Sequence, residues 1–282
     1  MKKVLFGSFL AILLFSASPA AYAAETQIKV DHVAVESNVQ PEFRNNRTMV
    51  PLRVISENLG ANVSWSNSEV TLTKGDMEVI LNLNSTTAKK NGEKITLDVK
   101  PYVKNNRVIV PLRFIAETFG CKVDYSNYTV TIDTKPLIID GVKIKALKNE
   151  FHMIMGGVVQ QINGNAYIET IYNIILKNKG TKVGAPASYA WNPNIDTPGS
   201  YYKNGQFDFL DEKGKSVKQF DIYSLVRSFP EEMLSGYADV LIYDASEDQW
   251  YLFSETARDS IFKSIETAQK NGFLKVISNN VA

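Results

Sequence analysis

The sequence predicts an α+β protein in two unlike parts, and three observations predict it. A long motif recurs without a gap at an offset of 60 residues. Each copy carries one short helix signature among strand signatures. The second half shows short strands at regular spacing and closes on a single amphipathic helix. The chain has 282 residues, with 31 Lys and Arg against 30 Asp and Glu, and 44% of it is apolar. That composition supports a packed core and argues against disorder. The near-zero charge argues against a dedicated nucleic-acid binder. One cysteine, Cys121, excludes an intrachain disulfide framework, and two histidines, His32 and His152, exclude most His-dependent metal sites.

The first segment reads as an address. Met1-Lys2-Lys3 is basic, Val4 to Ala24 is uncharged, and Ala21-Tyr22-Ala23 places small residues at a cleavage site. This is the layout of a secretory signal peptide over residues 1–23, and it predicts export and no stable membrane insertion after cleavage. Cys121 would then be a lone thiol in an export compartment. Its counterpart in the repeat is Ala61, which favours a small buried apolar role.

The repeat itself is strong. Asn45-Asn46-Arg47 through Pro51, Arg53, Glu57 and Gly60 returns as Asn105-Asn106-Arg107 through Pro111, Arg113, Glu117 and Gly120. It continues through Val63/Val123, Trp65/Tyr125 and Val70/Val130, and upstream to Val39/Val99. Two copies are too few for a solenoid, so one domain built from two related halves is expected. Pro51 and Pro111 suit a first helical position. Leu52, Ile55 and Leu59 lie on one helical face, and Gly60 and Gly120 suit a left-handed residue after the helix. Val50 and Val110 are poor caps, so the chain should enter each helix from a strand. Val63/Trp65 and Val70/Leu72 around Ser66-Asn67, and the segments around Asn91-Gly92, read as hairpins.

Among the repeated polar residues, Arg47, Glu57, Arg107 and Glu117 are read as structural pairs, Arg47 with Glu57 and Arg107 with Glu117. The i,i+4 order Arg53 to Glu57 is the less favourable one along a helix, which is why the pair is expected across the unit. The other reading of the repeated polar set is a pair of equivalent anion or ligand sites.

The pattern N-N-R-x-x-V-P-L-R-x-I-x-E-x-x-G, followed by V-x-[WY]-S-N and a closing V-T strand, resembles the copper amine oxidase N-terminal, or stalk, domain. The resemblance covers about Ile28 to Thr134 and places the domain at 24–135. It implies an antiparallel sheet wrapping short helices, in a family common among exported proteins of Gram-positive bacteria. It does not imply amine oxidation. That chemistry needs three copper-binding histidines and a tyrosine-derived quinone in a separate domain, and two histidines cannot supply three ligands.

Residues 136–282 read as a β-rich domain with a C-terminal helix, on the pattern of an Ig-like sandwich. Met153–Gln161 and Tyr167–Lys177 read as paired strands around Asn163-Gly164-Asn165. Two further hairpins turn at 211–214 and 244–247. The helix is expected to be capped by Thr256, with Ala257, Ile261, Ile265 and Ala268 on its buried face and Gly272 at its end. The irregular stretch 184–205 holds Tyr189, Trp191, Tyr201 and Tyr202. Exposed rings there could stack on sugars, and buried ones would pin the loop. Catalytic motifs such as G-x-S-x-G, H-E-x-x-H and C-x-x-C do not occur, and no catalytic residue, metal ligand or cofactor is assigned. The sequence therefore reads as an exported, extracellular or cell-wall-associated binding or scaffold protein. Its expected partners are a cell-wall glycan or another envelope protein. The alternative is a wall or glycan hydrolase with its site in the C-terminal domain, near the 189–202 loop and the carboxylates Asp244 and Glu247. His152 reads as structural. A third reading is a metal-binding accessory protein.

Overall fold

The computed structural model describes residues 26–153 and 155–281, so the segment 1–23, read above as a signal peptide, lies outside the described residues. The first part is organised by one strand pair. Arg47–Pro51 and Arg107–Pro111 run antiparallel, with Val50 opposite Val110, Ile109 opposite Pro51 and Pro111 opposite Met49. Val50 and Val110 are equivalent positions of the repeat. The pairing is therefore self-complementary, like an isologous interface folded into one chain. Glu42–Arg44 and Tyr102–Lys104 flank the pair in a four-stranded sheet. Each outer hairpin turns at Asn45-Asn46 or Asn105-Asn106, all four at positive φ between 47° and 59°. That is the conformation a two-residue hairpin turn of the primed type demands, and asparagine tolerates it better than most residues.

Each central strand feeds its helix, α1 (Leu52–Asn58) or α2 (Leu112–Thr118). Pro51 and Pro111 are the extended residues just before the helices, with ψ of 118° and 119°, and not the first helical residues as expected. Proline fits there because its fixed φ also suits the end of a strand. Leu52 and Ile55, and Leu112 and Ile115, are buried as the spacing predicts. Gly60 (φ 83°) and Gly120 (φ 72°) are left-handed. Gly60 N–H donates to the Glu57 carbonyl and Ala61 N–H to the Ser56 carbonyl, a Schellman closure repeated by Gly120 to Glu117 and Cys121 to Ala116. Cys121 is buried, and burial pushes its thiol up to about 11, which fits the apolar role of its counterpart Ala61.

The two copies differ at their outer sheets. After α1 the chain forms a five-stranded meander from Asn62–Ser66 to Glu93–Thr96. After α2 it forms only Lys122–Ser126 and Thr129–Asp133. The neighbouring place is taken by the N-terminal strand Gln27–Val30, which pairs parallel to Thr129–Asp133. The second copy lacks the chain that builds the meander of the first, and the N-terminal strand buries Ile28 and Val30 in its stead.

The second part is built on one nine-stranded sheet, preceded by a small hairpin of Ile138–Ile139 and Val142–Lys143. The strands lie in the order Lys182–Val183, Gln249–Phe253, Val240–Asp244, Ser216–Leu225, Tyr201–Leu210, Ala146–Met153, Gly156–Ile162 and Leu274–Asn279, with the short Tyr189–Ala190 beside Tyr201–Leu210. It is a single sheet with the two long helices on one face, and not the sandwich that the strand spacing suggested. The difference arises at Tyr167–Lys177, which forms helix α3 (Asn165–Asn178) and not a strand. Its Ile and Tyr content mimics a strand, but Tyr167, Ile168, Ile171 and Ile175 are buried at helical spacing. The expected strand Met153–Gln161 is likewise a hairpin, since Met153 pairs with Gly156. The short helix α4 (Glu231–Leu234) follows, and the long helix α5 (Glu255–Lys270) buries Ala257, Ile261, Ile265 and Ala268 as predicted. Its cap is Ser254, whose hydroxyl accepts from Ala257 N–H, and not Thr256.

The two parts share one apolar core that runs from Ile28 to Phe273. Two polar knots lie where they meet. In the first, Tyr167 donates its hydroxyl to Asn58 at 2.8 Å, and Asn271 Nδ2 reaches both Tyr167 (2.8 Å) and Asn58 (3.0 Å). This closes a triangle between α1, α3 and the end of α5, and burial pushes the Tyr167 hydroxyl up to about 12. In the second, Asp31 accepts from Thr134 and from the backbone N–H of Asn165, the first residue of α3. Helix α3 has no side-chain cap of its own, so a carboxylate from the other part supplies one where the helix dipole favours it.

Two outcomes follow from these joints. Tyr167→Phe leaves buried Asn58 short of a donor and is expected to cost about 1–3 kcal/mol in urea unfolding. Both glycines after the helices need a left-handed backbone, worth about 1–2 kcal/mol against alanine. A Cβ at Gly60 would also press on Ala166 at 3.3 Å, whereas one at Gly120 meets only the Lys135 side chain at 3.8 Å. Gly60→Ala should therefore destabilise more than Gly120→Ala in the same assay.

Candidate functional site

The nine-stranded sheet has two chemically different faces because its side chains alternate. Phe207, Phe209, Phe220, Ile222, Val240, Ile242 and Phe253 belong to the shared core on the helix side. Tyr201, Tyr223, Leu225, Leu241 and Trp250 form a separate cluster on the other side, joined by Leu234 of α4. This second face is the candidate site. Tyr189, Trp191 and Tyr201 of the predicted loop residues fall on it, whereas Tyr202 alternates to the helix side with its strand partner Ser224.

The structure separates those four residues. Tyr201 is buried and donates its hydroxyl to the Ala238 carbonyl at 2.7 Å, and burial pushes that hydroxyl up to about 12. Tyr202 pairs through its backbone with Ala190 and Ser224. Trp191 lies flat on His152, with ring centroids 4.0 Å apart and planes 7° from parallel, and Lys203 Nζ sits 4.6 Å from its centroid. Tyr189 meets Tyr223 and Trp250 edge-on at 5.8 and 4.8 Å and remains 49% exposed. Tyr201 and Trp191 thus pin the sheet and the loop, and Tyr189 is the ring most open to a ligand. His152 is structural in a specific way: it supports Trp191 and lies 3.0 Å from the Glu150 carboxylate.

Lys203 organises the middle of the face. It pairs with Asp221 at 2.7 Å, both nearly buried, and Asp221 also accepts from Gln219 Nε2 and the Tyr223 hydroxyl. Burial, reinforced by the Asp221 charge, holds the Tyr223 hydroxyl far above the ordinary tyrosine range. Sequence reasoning missed Lys203 and Asp221, because nothing in the pattern of single strands shows which residues the bulged pairing of Tyr201–Leu210 with Ser216–Leu225 brings together.

The acidic turn belongs to the other side of the sheet. Asp244 follows Val240 and Ile242 on the helix face and is fully buried. It accepts from Lys179 at 3.0 Å and Lys218 at 2.8 Å, and from the backbone of Ser246. Glu247 pairs with the same Lys179 at 2.9 Å and with the Tyr251 hydroxyl. The Tyr251 bond, then Lys179, holds Glu247 down to about 2. Both carboxylates are bound to lysines, and Glu247 is held down, the opposite of the raised carboxyl that a glycosidase acid needs.

The repeat residues pair differently from expectation. Arg47 meets Asp98 at 2.6 Å and not Glu57. Glu57 pairs with Arg53 at 3.6 Å and Glu117 with Arg113 at 3.7 Å, each along its own helix. The helix directs the glutamate outward beside the arginine one turn earlier, while Arg47 starts a strand and reaches Asp98 before the second copy's hairpin. The two-fold relation makes Asn38 the counterpart of Asp98, so Arg107 meets no equivalent acid there. Elsewhere the symmetry holds with altered chemistry: Lys104 pairs with Glu42, and their counterparts Arg44 and Tyr102 form a cation–π contact at 4.8 Å.

Residues 29–134 match the family model of the copper amine oxidase N-terminal domain. The chain contains such a domain. The match covers well under half of the chain and leaves the nine-stranded sheet outside it. No curated protein and no solved structure matches. Among the described residues, no group of three or more His, Cys, Asp or Glu is arranged to hold a metal ion.

The lysine-bound turn predicts a pH signature. The Glu247 carboxyl is depressed in the folded state from its usual 4.5 to about 2. The stabilisation is present above pH 4.5 and is lost as pH falls toward 2. Glu247→Gln should flatten the acid limb of a stability-versus-pH curve in that window. Asp244→Asn leaves the largely buried Lys179 and Lys218 to share the single, partly exposed carboxylate of Glu247 and should cost more at neutral pH than Glu247→Gln does.

Proposed function

We propose that this is an exported, non-catalytic binding or scaffold protein of the cell envelope, extracellular or associated with the wall. The observation that carries the reading is the outer sheet face, where aromatic rings and a buried Lys203–Asp221 pair underlie a loop that leaves Tyr189 half exposed. A rigid platform of this kind suits recognition, because its side chains are held in place before a ligand arrives. Export is supported by the basic start, the uncharged stretch and Ala21-Tyr22-Ala23. No helix among the described residues is long and apolar enough to cross a membrane. The partner is a cell-wall glycan or another envelope protein, and the near-balanced charge speaks against nucleic acid. The engagement of Asp244 and Glu247 by Lys179 and Lys218 favours binding over wall hydrolysis.

Co-sedimentation with purified peptidoglycan tests this reading. The wild-type protein should pellet with the wall, and Tyr189→Ala should weaken that binding several-fold while the protein stays folded. Release of soluble sugar fragments by the purified protein would overturn the non-catalytic reading.

A further inference from the structure

The loop that carries Tyr189 is seated on the sheet by a stack built from four separate segments. Trp191 lies flat on His152, with ring centroids 4.0 Å apart and planes 7° from parallel. His152 lies in turn against Gly157, its partner on the next strand. A Cβ at Gly157 would come within 2.8 Å of His152 Nε2. The Gly157 backbone is not left-handed, so what its missing side chain provides is room for the imidazole. Lys203 Nζ stands 4.6 Å from the centroid of the same indole.

The charges around this stack are unevenly matched. Glu150, two residues earlier on the same strand, reaches His152 Nε2 at 3.0 Å, and the two side chains are only 28% and 30% exposed. Gly157 and Trp191, which meet the imidazole from the neighbouring strand and the loop, carry no charge. Lys203 is already neutralised by Asp221 at 2.7 Å. Among the described residues Glu150 has no other ion-pair partner, so its charge is the one left for His152. A proton on the imidazole makes the Glu150 contact a charge-assisted hydrogen bond. It also turns the stack on Trp191 into a cation–π contact. That second gain exists only while the loop is seated, because a lifted loop takes Trp191 off the ring. The seated loop therefore binds the proton more tightly than the lifted loop, and by linkage the proton tightens the loop.

We propose that His152 is a proton-operated latch for this loop. The seat of Trp191 is firm when the imidazole is protonated and loosens as the pH rises. Tyr189 is two residues from Trp191, on the short strand Tyr189–Ala190, which is held to Tyr201–Leu210 by two residue pairs. A loosened Trp191 frees that strand and takes the Tyr189 ring out of its fixed position against Tyr223 and Trp250. Recognition through Tyr189 is then stronger in acid than in base, because the ring is ordered before the ligand arrives. This consequence rests on the recognition reading of the outer face; the latch itself does not.

Two measurements on the purified protein test the latch. Tryptophan emission is followed from about pH 8 to about pH 5, the range in which histidine side chains change charge, because a protonated imidazole against an indole quenches it. Co-sedimentation with purified peptidoglycan is compared at the two ends of that range. The wild type should show a step in emission and should pellet several-fold more tightly at the acid end. His152→Gln and Trp191→Phe should each lose the step, and His152→Gln should bind alike at both ends. Glu150→Gln should keep the step and move it to lower pH, a shift that a purely structural contact would not produce. A wild type without a step, or a step that survives in His152→Gln, where His32 is still present, would overturn the proposal. So would a step unmoved in Glu150→Gln, or a pH dependence of wall binding that His152→Gln retains. A wild type that pellets at neither end overturns the envelope reading instead, while the emission step still decides the latch, so the two ideas fail separately.

Discussion

The antiparallel pairing of Arg47–Pro51 with Arg107–Pro111 is the constraint on which the first part of the molecule depends. Placing Val50 opposite Val110 makes the contact self-complementary and sets the two helices on equivalent paths from its ends. It also gathers Val39, Met49, Val99 and Ile109 into a small symmetric core of its own. A one-residue slip would turn every side chain of these strands to the wrong face, so the register is strongly specified. The turns at Asn45-Asn46 and Asn105-Asn106 hold that register from outside, because few other residues accept two successive left-handed conformations.

The symmetry is broken where the molecule needs to be asymmetric. Asn58 in the first copy is Thr118 in the second, and only Asn58 joins the triangle with Tyr167 and Asn271. Asp31 crosses to cap α3. The duplicated part therefore docks on the helices of the second part through Asn58 of the first copy and through Asp31 with Thr134 beside the second, and the shared apolar core makes the junction a packed interior. The shared core holds the duplicated part and the large sheet on one body.

The helix-covered and outer faces of the large sheet divide the chemistry. Ion pairs around Asp244 close the helix side, where a low-dielectric setting demands that every charge be matched. The outer side keeps Lys203, Asp221 and a group of rings under a loop held by the Trp191–His152 stack. That division puts the aromatic loop and Asp244 of the acidic turn, grouped as one candidate site in the sequence, on opposite sides of a sheet.

Local rules made much of this legible in advance. The repeat, both short helices with their closing glycines, the Asn91-Gly92 hairpin and the buried face of α5 depend on interactions a few residues long, and the sequence by itself determined them. It also determined the α+β class and the copper amine oxidase N-terminal domain. Tertiary structure decided the rest. It made Tyr167–Lys177 a helix, since an isoleucine-rich segment satisfies either period until it meets a surface to pack on. It chose Asp98 over Glu57 as the partner of Arg47, and it placed Lys203 beside Asp221 through a bulged register. It settled which of Tyr189, Trp191, Tyr201 and Tyr202 face solvent. Each of these depends on groups far apart in the chain, whose meeting is set by sheet register and core packing that no local pattern encodes.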